Sequence, residues 1–206
     1  MKFYREGRQR TRSCLRNPQK LGILAGSFNP PTLAHVELAR AAYQWGVEQV
    51  AFVVPQVFPH KEYSGATLEQ RIEMLDMAAL EIPHAIAATG QGLFVDIARE
   101  FRGHFGAETR LSFICGRDAA ERVLRWDYGR PGVVEEMLRE FELLVAPREG
   151  HFTGPAEFRE RIHALPLGPG NDGVSSTEAR ERIARGEPWE HLVPAAIRER
   201  VRQIYL

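Results

Sequence analysis

Short apolar segments that alternate with amphipathic segments constrain the fold of this chain more than any other feature. Apolar runs at residues 21–25, 49–54 and 111–115 have the length and composition of buried strands. Between them lie segments with helical spacing of apolar residues, such as Leu33–Trp45, which Gly46 is expected to end. This alternation predicts an α/β protein with a Rossmann-like, doubly wound and mainly parallel sheet covered by helices on both faces.

The remaining elements follow from the same patterns. Thr67 is predicted to cap a helix, with Gln70 as its reciprocal partner. Further strands are predicted at residues 84–88, 142–146 and 163–167, and further helices at residues 93–101, Val133–Glu140, 177–185 and 195–205. Ligands of such sheets bind outside the carboxyl ends of the strands. We therefore expect the site in the loops that follow Ala25, Val54 and Cys115.

Composition narrows the class of protein. The chain has 206 residues, of which 44% are hydrophobic and 26% charged, which suits a globular domain with an ordinary core. Its 27 basic and 27 acidic residues balance, and this argues against binding to nucleic acid or a membrane surface. No apolar run reaches the roughly 18 residues of a membrane span. Two cysteines, Cys14 and Cys115, form no disulfide framework, so we expect a cytoplasmic protein.

The first twenty residues have a different charge pattern. Seven basic residues face a single acidic one, Glu6. We predict a basic tail at residues 1–20 followed by one domain at residues 21–206. A solvated, frayed tail is the favoured interpretation. An arm that touches phosphate or a partner, and a transit peptide, are the alternatives.

The loop after the first strand carries the first candidate residues. It reads Gly-Ser-Phe-Asn-Pro-Pro-Thr-Leu-Ala-His over residues 26–35. Gly26 allows close approach of the backbone to a ligand, and Thr32 is expected to cap the helix, where free amides bind anions. His35 lies three residues beyond Thr32 and can share its side of the first turn. An isolated histidine of this kind is more often simply solvated, so a second signal is needed.

That second signal lies near the other end of the chain. Ser175, Ser176 and Thr177 precede a predicted helix, and Arg180 lies one turn inside it. Hydroxyl groups at a helix start surround its free amides, and an arginine there presents a planar fork to phosphates. Taken alone, the segment indicates only a capped helix.

Together the two segments resemble the nucleotidyltransferase superfamily with the (H/T)-x-G-H signature, and most of all the nicotinate/nicotinamide mononucleotide adenylyltransferases. The family's Gly-(Ser/Thr)-Phe-(Asp/Asn)-Pro loop corresponds to residues 26–30, and its Ile-Ser-Ser-Thr-x-(Ile/Val)-Arg motif to residues 174–180. Further matches follow in the family's order: Pro59-His60-Lys61 with Arg71, Gly116-Arg117-Asp118, Trp126 and residues 192–197. The resemblance covers nearly everything but the basic tail.

The resemblance implies an enzyme that transfers AMP from ATP to a phosphorylated acceptor, expected to be nicotinate or nicotinamide mononucleotide, and releases pyrophosphate. The implied catalytic residues are His35, Thr32, Lys61 and Arg180. The implied ATP-binding residues are Gly26, Ser27, Phe28, Gly116, Asp118, Ser175, Ser176 and Thr177, and the implied acceptor-binding residues are Arg71, Trp126 and Phe94. No metal site made by the protein is expected, because Mg²⁺ is held mainly by phosphate oxygens and water. Since family members often form oligomers, a homo-oligomer is among the expectations.

Three departures from the family pattern bear on function. Thr32 replaces the first histidine of the signature, as in the phosphopantetheine adenylyltransferases. Ala34 replaces its glycine, and the added methyl group could crowd the phosphates. Leu93 and Phe94 stand where the mononucleotide enzymes have a Tyr-Thr pair that helps to recognise the pyridine substituent.

Alternatives therefore stay open at this point. Another acceptor, phosphopantetheine above all, is one, and a non-catalytic sensor of adenine nucleotides is another. A nucleic-acid adaptor that uses the basic tail is a third. Individual residues have simpler interpretations too: Lys61 as a solvated charge, Arg71 as a partner of Glu69 or Glu73, Asp118 as a helix cap and Trp126 as a core or interface residue.

Overall fold

One sheet of seven strands runs through the computed structural model of the protein, which describes residues 1–4, 18–56, 64–78, 82–147, 152–167 and 174–206. The strands are β1 (Lys2–Tyr4), β2 (Lys20–Ala25), β3 (Gln49–Pro55), β4 (His84–Thr89), β5 (Arg110–Gly116), β6 (Phe141–Ala146) and β7 (Ile162–Ala164). The α-helices are α1 (Leu33–Trp45), α2 (Leu68–Met77), α3 (Phe94–Phe105), α4 (Arg117–Arg125), α5 (Val133–Glu140), α6 (Ser176–Arg185) and α7 (Arg198–Tyr205). Short 3₁₀ turns lie at Ala156–Phe158, Glu190–Leu192 and Ala195–Ile197.

The strand order defines where a ligand can bind. The order is β1-β4-β3-β2-β5-β6-β7, and every neighbouring pair is parallel except β1 with β4. From β2 the chain moves outward through β3 to β4, and then returns past β2 to form β5. The carboxyl ends of β2 and β5 therefore flank the topological switch point, the usual ligand site of open α/β sheets. The predicted Rossmann-like, mainly parallel fold is confirmed.

Local sequence signals explain where helices begin and end. Helix α1 ends at Gly46, whose φ of +111° is a left-handed conformation that favours glycine. At the start of α2, the Thr67 backbone nitrogen donates to Gln70 Oε1 at 2.8 Å, and the Gln70 nitrogen donates to Thr67 Oγ1 at 3.3 Å. The predicted capping box is therefore present.

Alternate residues of each strand serve the two faces of the sheet. In β2, Leu21 and Ile23 pack with helices α3, α4 and α5, whereas Leu24 packs with α1 and α2. A third apolar cluster, which includes Met74 and Trp189, joins the outer side of α2 to α6 and α7. This cluster joins the C-terminal segment, from residue 174 onward, to helix α2.

The first residues of the chain belong to the sheet. Lys2–Tyr4 pair in antiparallel register with β4, and the terminal amino group lies 3.3 Å from Glu100 Oε1. Three residues are too few to show a strand period, so the sequence did not predict β1. Residues 5–17, which hold most of the basic tail, lie outside the described residues. The division at residue 20 stays a prediction, although its first part begins as a strand.

None of the helices in the described ranges has the length and apolar composition of a membrane span.

Candidate active site

A cavity of about 220 Å³ lies at the carboxyl ends of β2 and β5, at the topological switch point. Ala25 ends β2, Gly116 ends β5, and the first turns of α1 and α4 contribute His35 and Asp118. Apolar walls come from Leu24, Leu38, Ile114 and Leu167. Two of the three predicted loops therefore meet at one cavity. The third follows β3, and its residues 57–63 lie outside the described part of the chain.

The His35 ring is held on one edge by Thr32. The Thr32 backbone nitrogen donates to His35 Nδ1 at 3.0 Å, and Thr32 Oγ1 lies 2.8 Å from the same atom. Because Nδ1 accepts from a backbone N–H, the neutral imidazole carries its proton on Nε2. Thr32 itself is fully buried. Its observed role is to orient His35, and direct contact of its hydroxyl with a ligand stays a prediction.

The Phe28 ring packs against the His35 ring. Phe28 is fully buried, has a φ of +47°, and its ring centroid lies 4.9 Å from that of His35 in an edge contact. A Cβ at Gly26 would lie 3.2 Å from Phe28 Cζ, which is tighter than ordinary packing. Gly26 therefore makes room for the Phe28 ring. Its backbone nitrogen donates to the Val53 carbonyl at 3.0 Å and so continues the sheet.

Arg71 braces the same loop. Only 3% of Arg71 is exposed, and its Nη1 donates to the Ser27 carbonyl at 3.1 Å. Its Nε donates to the Thr67 carbonyl at 3.3 Å. Glu73, considered above as its partner, binds Arg200 at 2.7 Å. Contact of Arg71 and Ser27 with a substrate stays a prediction.

Helix α6 docks directly on the loop. Ser176 Oγ donates to the Pro30 carbonyl at 2.7 Å, and Arg180 Nη1 donates to the Asn29 carbonyl at 2.6 Å, across 151 residues of sequence. Arg180 also contacts its own helix, through the Ser176 carbonyl at 3.1 Å and Thr177 Oγ1 at 3.4 Å. Within the described residues its Nε–H and one Nη2–H make no hydrogen bond, so two donors remain for an anion.

The start of α6 is capped by Ser175, whose hydroxyl accepts from the Glu178 backbone nitrogen at 3.0 Å. Thr177, the second residue of the helix, is exposed. The simpler interpretation of this segment as a capped helix is therefore correct. It is compatible with phosphate binding, because a cap leaves other first-turn amides available.

Asn29 ties three parts of the molecule together, a role that sequence analysis missed. It is 3% exposed; its Nδ2 donates to the Ser64 carbonyl at 2.7 Å, and its Oδ1 accepts from the Ala66 nitrogen at 3.1 Å. The Tyr205 hydroxyl of the last helix donates to the same Oδ1. The loop after β2 is thus joined both to the segment before α2 and to the C-terminal helix. No local pattern signals such a junction.

A second cavity, of about 70 Å³, adjoins the first. Phe94 and Trp126, both predicted to bind the acceptor, line it together with Tyr128. Ala119 and Arg122 of helix α4 line both cavities, so the two spaces meet at this helix. Phe94 stacks on Phe113 with centroids 4.4 Å apart and is therefore firmly placed. Trp126 is only half-buried and is not the core residue considered above.

Tyr128 donates its hydroxyl to the Val123 carbonyl at 3.1 Å, and burial raises the pKa of this phenol to about 12. The aromatic wall is therefore neutral near physiological pH.

The sequence matches the Cytidylyltransferase-like family over residues 23–182, most of the chain. The chain belongs to this family. It is a nucleotidyltransferase, as the two motif segments predicted.

Similar proteins show which kind of nucleotidyltransferase the chain most resembles. A protein of Moorella thermoacetica named "Probable nicotinate-nucleotide adenylyltransferase" is 32% identical over 202 residues, which cover 90% of each chain. A protein of the same name from Thermus thermophilus is 34% identical over 186 residues, which cover 86% of this chain and 94% of the relative. The nucleotidyltransferase is thus most similar to nicotinate-nucleotide adenylyltransferases.

Solved structures confirm the fold. The Plasmodium falciparum nicotinic acid mononucleotide adenylyltransferase in complex with NaAD superposes with a TM-score of 0.66 at 17% identity. The match covers 89% of this chain and 95% of that one. The same enzyme in complex with APC also gives a TM-score of 0.66, at 16% identity.

Ala34 and Cys115 line the larger cavity, whereas Lys61 is not among the described residues. Lys61 lies outside the described residues, so its role stays a prediction. Ala34 is 6% exposed and lines the larger cavity, next to His35. Cys115 lines it too, but burial raises the pKa of its thiol to about 12, so a thiolate nucleophile is not available there. The described residues contain no cluster of three or more His, Cys, Asp or Glu that could hold a metal ion.

Proposed function

We propose that the nucleotidyltransferase transfers the adenylyl group of ATP to the phosphate of nicotinate or nicotinamide mononucleotide and releases pyrophosphate. The observation that carries this proposal is one assembly at the switch point. Thr32 holds the His35 ring at the cavity that Asp118 also lines, and Arg180, far along the chain, donates to the Asn29 carbonyl of the same loop. The names of the relatives support the choice of acceptor. Because the reaction needs ATP, we place it in the cytoplasm.

The proposed chemistry is a direct in-line displacement. An oxygen of the acceptor phosphate attacks the α-phosphorus of ATP, a new P–O–P linkage forms, and the bond to the bridging oxygen of pyrophosphate breaks. No covalent enzyme intermediate is needed, which agrees with the neutral thiol of Cys115. Positioning and charge stabilisation then account for most of the catalysis.

In this proposal His35, Arg180 and Asp118 contact different parts of ATP. His35 donates its Nε2–H to the α-phosphoryl oxygens, where negative charge grows. Arg180 and the first-turn amides of α6 bind the β- and γ-phosphates. The Asp118 carboxylate accepts hydrogen bonds from ribose hydroxyls.

The acceptor and the metal ion fit the rest of the site. The pyridine ring of the acceptor lies between Phe94 and Trp126, where aromatic side chains favour stacking. Among the described residues that line the larger cavity, Asp118 alone carries a carboxylate, which fits Mg²⁺ held mainly by phosphate oxygens and water. When bound, Mg²⁺ offsets negative charge on the phosphates.

Pyrophosphate release tests the proposal. Purified protein is incubated with ATP, Mg²⁺ and, separately, nicotinate mononucleotide, nicotinamide mononucleotide or phosphopantetheine. We expect turnover with a pyridine mononucleotide and a loss of roughly 10²- to 10³-fold in kcat for His35→Ala, the typical effect of removing one charge-stabilising donor. His191→Ala, at an exposed histidine outside both cavities, is the matched control. Turnover with phosphopantetheine alone, or with none of the three, would refute the proposed acceptor.

A further inference from the structure

One cation lies where the two cavities meet. Arg122 belongs to α4, one turn after Asp118, and lines both the larger cavity and the aromatic cavity. The other residues that line the aromatic cavity carry no charge: Gly92, Leu93, Phe94, Ala119, Val123, Trp126 and Tyr128. Arg122 is therefore the one charged residue among the described residues that line the aromatic cavity.

The Arg122 side chain has no partner within the described part of the chain. It is exposed and makes no hydrogen bond or ion pair there. By contrast, Arg117 on the same helix binds Glu121 Oε1 at 2.8 Å. An unpaired guanidinium at the edge of an aromatic cavity is suited to bind the carboxylate of an aromatic acid, because its planar fork matches a carboxylate in two parallel hydrogen bonds.

The other side chains that line the aromatic cavity carry no charge, and few of them can donate a hydrogen bond. Leu93 and Phe94 have no side-chain donor, and the Tyr128 hydroxyl already donates to the Val123 carbonyl. Of the side chains that line the aromatic cavity, Trp126 offers its indole N–H and Arg122 its guanidinium donors. Of these side chains, only Arg122 carries a charge that can distinguish a charged ring substituent from a neutral one of the same shape.

We infer that Arg122 selects the acceptor by binding a carboxylate on its aromatic ring, so that nicotinate mononucleotide is preferred to nicotinamide mononucleotide. This inference rests on the proposed function and adds to it the residue that makes the choice. The two acceptors carry the same phosphate and ribose and differ only in carboxylate against carboxamide. The ratio of their reactivities therefore isolates the ring contact from any contact of Arg122 with a phosphate.

The test compares wild type, Arg122→Ala and Arg125→Ala. Arg125 is the matched control because it is also exposed on α4 and makes no hydrogen bond or ion pair with the described residues, yet lines neither cavity. For each protein, kcat/KM is measured with both mononucleotides, and equilibrium binding of each is measured by calorimetry. We expect Arg122→Ala to lower kcat/KM for the nicotinate form by roughly 10- to 100-fold, as for loss of a charged hydrogen bond, and to leave the nicotinamide form within about threefold. Arg125→Ala should change neither.

The remaining outcomes separate failure of the Arg122 inference from failure of the proposed function. Equal losses for both acceptors would mean that Arg122 binds a phosphate, and would overturn the inference, as would an effect confined to the KM of ATP or no effect at all. Absence of turnover in wild type, with nicotinate binding that Arg122→Ala abolishes, would refute the proposed function and support the role of Arg122. Absence of turnover together with absence of mononucleotide binding would overturn the proposed function and the inference about Arg122.

Discussion

Replacing Thr32 with valine tests how the histidine of the site is held. Valine has nearly the shape of threonine, so the substitution removes the hydroxyl 2.8 Å from His35 Nδ1 and keeps the backbone N–H at 3.0 Å. Loss of one such hydrogen bond costs about 1 kcal/mol. If that cost falls on the alignment of His35 in the transition state, kcat falls by about fivefold.

A different magnitude is expected if the Thr32 hydroxyl binds the α-phosphate itself. Removal of a donor that contacts the reacting group typically lowers kcat by roughly 10²- to 10³-fold. The complete burial of Thr32 argues for the smaller effect. The two roles are therefore separated by more than a factor of ten.

The assay is steady-state pyrophosphate release for Thr32→Val, His35→Ala and the double variant. If Thr32 acts through His35, the valine substitution lowers kcat in the wild-type background and adds nothing in the His35→Ala background. Thr67→Val is the matched control, since it removes the hydroxyl that caps α2 and should lower stability by roughly 1 kcal/mol while kcat stays unchanged. A loss of 100-fold or more, or an effect of Thr32→Val that persists without His35, would refute the orienting role.

Three further predictions follow from single contacts. Ala34→Gly should raise kcat by about tenfold, because relief of crowding in a packed site is typically worth 1–3 kcal/mol; an unchanged kcat would show that the methyl group does not crowd the phosphates. Tyr205→Phe removes the hydroxyl that binds Asn29 Oδ1 and should lower Tm by roughly 2–4 °C in a calorimetric scan, whereas an unchanged Tm would contradict the junction. In a Cys14→Ser background, Cys115 should resist thiol reagents at pH 8 until the protein unfolds, because burial holds its pKa near 12; since the unfolded thiol ionises first, the free energy of unfolding should also fall as the pH rises above about 9. Rapid labelling of the native protein would contradict this environment.

The position of the candidate site was predictable because the sequence patterns that determine it are periodic and local. Strands that alternate with helices imply parallel pairing, and parallel pairing places the loops after Ala25 and Cys115 at one edge of the sheet. The stop at Gly46 and the capping box of Thr67 depend on residues within one turn of each other. The two motif segments added the family, because their residue types and order are specific to nucleotide transfer.

What the tertiary structure decided is how those residues are used. Arg71 and Phe28 are buried and support the loop, while their contact with a ligand stays a prediction. Lys2–Tyr4 form an edge strand that is too short to show a strand period. Asn29 meets Tyr205 across 176 residues, and Arg122 lies at the junction of two cavities because of the way α4 packs on the sheet. Such contacts join segments that are distant in sequence, so no local pattern records them. The sequence by itself determined which chemical groups converge on the switch point, and the packing of the helices decided which groups face the cavities and which hold the others in place.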